Sequence, residues 1–103
     1  MKIYIAGKIS GDKNYKAKFA DAENALAKKG HSIMNPAWLV EYPEFQYGDY
    51  IFISDWMRSV CEAVVLLPDW EQSEGAKREK SSAVAERQKI FYGVDEVPFA
   101  EEA

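Results

Sequence analysis

The feature that most constrains the fold is a continuous apolar run, Ala63-Val64-Val65-Leu66-Leu67, which stops at Pro68. Apolar residues without alternation describe a strand buried on both faces, as in a parallel sheet covered by helices on each side. A polar loop follows Pro68 and contains Trp70 and Ser73. The chain then restarts as a helix over 75–87, with Ser73 placed to cap it and Glu79 about one turn in. Open α/β sheets hold ligands where such strands hand over to helices.

The rest of the chain repeats that handover. Lys2 to Ala6 reads as strand 1, ended by Gly7 and the loop GKISGD. Tyr15, Phe19, Ala22 and Leu26 then form one apolar helical stripe. Asp12 or Asn14 can cap that helix, and Lys28-Lys29-Gly30 closes it. His31 to Met34 is a short second strand before Asn35-Pro36. Residues 37–48 are aromatic and irregular, and Pro43 forbids a long helix there. They read equally as a lid, a subunit contact, or a loop packed on its own core.

Helical spacing resumes at Asp49. Ile53, Met57 and Val60 share the expected inward face, Tyr50 and Trp56 flank it, and Asp55 stands beside it. Lys89 to Tyr92 is a last strand, and Val97 to Phe99 an additional edge strand. The order predicts an α/β fold with a parallel sheet and right-handed crossovers. With strand 1 between strands 2 and 3, the loops GKISGD and PDWEQSEG meet at one crevice.

Composition narrows the function classes. With 103 residues, 1–103 reads as a single domain. A chain this short buries roughly two-thirds of its unfolded surface, so a homodimer or higher homo-oligomer is a natural supplement. A net charge of −4 argues against a nucleic-acid polymer, though not against one nucleotide. One cysteine, Cys61, and one histidine, His31, give neither a disulfide framework nor a metal cluster, so no metal and no cofactor is expected. A reduced, cytoplasmic setting follows from that cysteine use. No run reaches the ~18 apolar residues of a membrane span, and MKIYIAGKI is too broken for a signal peptide.

The candidate site residues each carry two readings. Ala76 and Ala83 offer the inward stripe of their helix, and Glu79 lies with them at i−3 and i+4. An inward carboxylate costs several kcal/mol unless it is hydrogen-bonded or paired. The other reading is a surface glutamate among Lys77, Arg78 and Lys80. Tyr4, in strand 1, either orients Glu79 or fills the core. Lys8, Ser10 and Gly11 either face an anion or serve a turn, without Walker or GxGxxG spacing. Ser73 and Gly75 divide between capping and anion contact. Trp70 is either a pocket wall or a loop anchor. Asp55 and Asp69 are further carboxylates near the crevice, and a nucleophile with a general acid suits a glycosidic carbon. Asp69 reads better as solvated.

MKIYIAG, GHSIMNP and CEAVVLLPDWEQSEGAKRE together resemble the nucleoside 2-deoxyribosyltransferase-like proteins, over about residues 1–92. They are most similar to a short subgroup found in phage and bacterial genomes, and Ser73-x-Gly75-x-x-x-Glu79 is the most specific part. The resemblance implies a three-layer flavodoxin-like (Rossmann-like) sandwich with a four- to five-stranded parallel sheet. It implies that Glu79 attacks the anomeric carbon of a nucleoside or nucleoside 5′-monophosphate, oriented by Tyr4, with Asp55 assisting base departure. It implies a substrate site from the loop of Gly7, Lys8, Ile9, Ser10 and Gly11, with Ser73, Gly75 and Trp70. Ser73 stands where transferases carry aspartate, which leans toward a nucleotide. Asp55 matches only with a one-residue shift, Asp69 replaces a glycine, and VPFAEEA lacks the transferases' C-terminal asparagine. A non-catalytic nucleotide-binding or sensing module is the alternative.

Overall fold

The computed structural model describes residues 1–102. Strands β1 (Lys2–Ala6), β2 (Ser32–Met34), β3 (Ala63–Leu66) and β4 (Lys89–Tyr92) form one parallel sheet in the order β2-β1-β3-β4. Helices α1 (Tyr15–Lys28), α2 (Tyr47–Ser59) and α3 (Glu74–Ala85) complete the α/β sandwich. Strand alternation divides the core in two. Ile3, Ile5, Ala63 and Val65 pack with Phe19, Ala22 and Leu26 of α1. Tyr4, Ala6, Val64 and Leu66 pack with Ala76 and Ala83 of α3 on the opposite face. As expected of a central parallel strand, β3 is buried along its whole length.

Helix α1 turns its stripe inward, with Phe19, Ala22 and Leu26 buried and Tyr15 packed at the edge. Its start differs from expectation. Asn14 makes no side-chain cap, and Asp12 Oδ1 instead accepts the Asn14 N–H at 2.8 Å, closing the turn before the helix.

Helix α2 departs further. It begins at Tyr47, ahead of Asp49, because the Asp49 carboxylate accepts the Gln46 N–H at 2.8 Å across the first turn. Its apolar residues do not face the core: Ile53 is 42% and Val60 43% exposed, and only Met57 of the expected stripe is partly buried. Ser54 and the fully buried Arg58 turn inward instead. Arg58 is tolerated there because Asp55 and Glu86 accept from its Nη2 at 2.8 and 2.7 Å and Gln88 Oε1 accepts from Nη1. Gln88 Nε2 in turn donates to the Arg58 and Cys61 carbonyls at 2.8 Å, tying α2 to the start of β4.

The expected fifth strand does not form. Gly93 at φ +97° turns the chain into a 3-10 turn at Val94–Glu96, and Val97 drops into the α1-side core. The following backbone is strapped to the end of α1. Lys29 Nζ donates to the Val94 and Val97 carbonyls, and the Ala100 N–H to the Lys29 carbonyl at 2.7 Å. His31 Nε2 donates to the Pro98 carbonyl while Nδ1 accepts from the N-terminal ammonium of Met1. Among the described residues, no helix is long and apolar enough to cross a membrane.

Candidate active site

The carboxyl ends of β1 and β3 open into a cleft of about 330 Å³, within the range of small-molecule sites. One wall is the loop after β1, the floor is Tyr4 and the first turns of α3, and the far wall is α2 with residues of the segment before it.

Tyr4 sits on the α3-facing side of β1 and is fully buried. Its hydroxyl donates to Glu79 Oε2. Glu79 is brought there by helix spacing, since α3 buries Ala76 and Ala83 against the sheet. Ser73 Oγ accepts the Ala76 N–H at 3.1 Å and sets where the helix starts. Burial pushes the Glu79 carboxyl from 4.5 up to about 7; the Tyr4 hydrogen bond and the Arg78 and Arg58 cations oppose that rise, and Asp55 adds to it. The Tyr4 hydroxyl is raised well above its usual value, first by burial and then by the Glu79 charge, so it stays a donor.

The two loops at the switch point are latched together. The Lys8 N–H donates to Asp69 Oδ1 at 3.1 Å. Lys18 Nζ donates to the Lys8 carbonyl at 2.7 Å, to Asp12 Oδ2 at 2.6 Å, and to Asp69 Oδ2. Burial alone would lower the Lys18 ammonium, but Asp12 and Asp69 hold it above its usual value. Asp69 is therefore a half-buried clamp rather than the solvated aspartate expected, because a lysine from α1 reaches it. Gly7 has no room for a side chain: a Cβ there would lie 2.9 Å from Leu67 Cδ1. Gly11 takes φ +81°, which ends the loop.

Of the residues singled out by sequence, Tyr4, Gly7, Lys8, Ile9, Ser10, Ser73, Gly75 and Glu79 line the cleft. Gly11, Trp70 and Asp55 do not. The Trp70 ring packs beside Tyr92, with centroids 6.1 Å apart, and Lys80 Nζ lies 4.6 Å from its centroid. This is the loop-anchor arrangement. The Asp55 side chain is 58% exposed and held by Arg58, so it is not presented to the cleft. It borders a niche of about 10 Å³ behind Glu79, shared with Ser54, Arg78 and Ser82.

Sequence reading missed several cleft residues. Arg78 was legible, since it stands i+3 from Gly75 and so over the same helix mouth. Leu39, Glu41 and Tyr47 were not, because residues 37–46 carry no periodicity. Tyr50 was taken as a flank of the α2 stripe. It lines the cleft, and its hydroxyl accepts the Tyr42 N–H at 2.8 Å, which holds that segment against α2. Among the described residues, no group of three or more His, Cys, Asp or Glu converges as a metal ligand set.

A crevice at the switch point of a parallel α/β sheet, with a carboxylate and a tyrosine hydroxyl at its floor, places the chain among small-molecule-site α/β proteins. The family described as a domain of unknown function, DUF4406, matches residues 1–92, and the chain belongs to it. No curated protein matches the sequence. Among solved structures, the 2-deoxyribosyltransferase from the psychrotolerant bacterium Bacillus psychrosaccharolyticus is similar in fold, with a TM-score of 0.70 at 15% identity. The match covers 87% of this chain and 69% of that one.

Proposed function

We propose that the protein cleaves or transfers the N-glycosidic bond of a nucleoside or nucleoside 5′-monophosphate, with Glu79 as nucleophile. The observation that carries this reading is the Tyr4–Glu79 hydrogen bond on the floor of the cleft. The fold likeness to a 2-deoxyribosyltransferase supports it.

In this mechanism a Glu79 carboxylate oxygen attacks the anomeric carbon. The carbon–nitrogen bond breaks, and its electron pair leaves with the base, which takes up a proton. Water, or the nitrogen of a second base, then attacks the same carbon and frees Glu79. The Tyr4 hydroxyl holds one carboxylate oxygen in place, leaving the other for attack. Ser73, the backbone around Gly75, Lys8 and Arg78 supply donors and positive charge for a 5′-phosphate. Glu79 must be ionised to attack, so base release should rise as pH increases through about 7.

The test is base release from a panel of nucleosides and monophosphates, followed by chromatography. Wild type should free a base from at least one compound. Glu79→Ala should lose more than ~10³-fold of that activity while keeping binding. Asp55, the acid expected from sequence, is committed to Arg58, and this favours the second reading, a non-catalytic nucleotide-binding module. That reading wins if no base is freed while nucleotides still raise the melting temperature.

A further inference from the structure

Helix α2 presents to solvent what a helix normally buries. Phe52 is 67%, Ile53 42%, Trp56 62% and Val60 43% exposed, and among the described residues nothing covers them. These are not scattered side chains. Phe52, Trp56 and Val60 stand four residues apart and form one continuous ridge, with Ile53 beside it. Ser59 flanks the other side, and its hydroxyl is already donated to the Trp56 carbonyl at 2.9 Å, so it offers a shallow groove with no unmet polar demand.

We infer that this ridge is the contact by which two copies of the chain pair, α2 against α2, about a two-fold axis. Ridges along i±4 rows interdigitate with identical ridges in the commonest class of helix packing, so a copy of the same helix is a geometrically matched partner. An isologous contact also needs only one patch per chain. The area is of the right order. From the usual size of aromatic side chains, Phe52 and Trp56 each leave ~100–150 Å² accessible, and the four residues together roughly 350 Å² per copy. A stable interface buries about 800 Å² per partner, so the ridge supplies the apolar centre and the surrounding polar surface the rim. The ridge itself carries no charge, and tryptophan is among the residue types enriched where binding energy concentrates.

The pairing bears on the cleft. The opposite face of α2 supplies Tyr47, Tyr50, Ile51 and Ser54 to its far wall. Holding α2 between two copies would fix that wall.

The experiment is the solution mass of the full chain by light scattering on a sizing column at ~10 μM and above. Wild type should run at twice the chain mass. The double variant Phe52→Glu, Trp56→Glu should run at the single mass with an unchanged far-ultraviolet circular dichroism spectrum. Phe99→Glu, an exposed aromatic on the α1 side, should stay paired. If the glutamate pair fails to fold, Phe52→Ser, Trp56→Ser is read the same way. A wild-type chain at single mass up to ~100 μM, as a surface kept for a different protein would give, overturns the inference. So does a dimer that survives the double substitution.

Discussion

Helices α1 and α2 have similar lengths and similar numbers of apolar residues, yet they use them in opposite directions. Helix α1 turns Phe19, Ala22 and Leu26 onto the sheet and leaves lysines outside. Helix α2 turns Ser54 and Arg58 inward and leaves Phe52, Ile53, Trp56 and Val60 outside. One helix serves only to close a core. The other stands between a polar cleft and an apolar outer surface, and its inner face is made for the cleft. An apolar stripe therefore tells which residues share a face, and what that face meets depends on the neighbours.

The sharpest way to break this contrast is to truncate one residue on each stripe. Phe19→Ala should cost ~3–5 kcal/mol of unfolding free energy. Ile53→Ala should stay within ~0.5 kcal/mol in urea unfolding at concentrations where the chain is single. Equal costs would mean that the α2 stripe is core after all.

Next in size is the polar contact that holds the inner face of α2. Arg58→Ala removes a fully buried cation from between Asp55, Glu86 and Gln88, and should destabilise by ~2–4 kcal/mol. The cost falls toward the lower end because Asp55 and Glu86 are about half exposed and can return to water. Arg58→Met, which refills the space, should cost less than half as much. A methionine variant as unstable as the alanine one would show that the charge itself, and not the filling, holds α2.

The smallest effect concerns Glu79, and its sign runs against habit for a carboxylate. Its folded value lies near 7, above its ordinary 4.5. Folding is therefore favoured by this group below pH 4.5, and that contribution is lost as pH rises through 7. Glu79→Gln keeps an acceptor for Tyr4 without the charge. It should be more stable than wild type at pH 8, by ~1–3 kcal/mol, with the gain vanishing by pH 4.5. Urea midpoints at the two pH values measure it, and a gain that did not depend on pH would place the Glu79 charge in solvent.

The elements that were legible from sequence follow strong local rules. The unalternating run at Ala63 forced a doubly covered strand, and with it a parallel sheet with β1 beside β3. Ser73 and the paired alanines of α3 set both the cap and the direction of Glu79. The outward turn of α2 was hidden because an arginine normally marks an outer face, and only partners distant in sequence, Glu86 and Gln88, make Arg58 an inner one. The cleft residues Leu39 and Glu41 come from a stretch whose position depends on tertiary contact with α2 rather than on any period.

The strap that follows β4 has a consequence for where this protein can be divided. The family match stops at residue 92, yet Val97 fills the α1-side core, and Lys29 and His31 are satisfied by carbonyls of Val94, Val97 and Pro98. A boundary drawn where the recognisable sequence ends would leave an open seam in the hydrophobic interior and two polar side chains without acceptors. The unit that relatives share and the unit that can fold are thus not the same length. Grafting this fold onto other chains, or trimming it, has to respect the longer one.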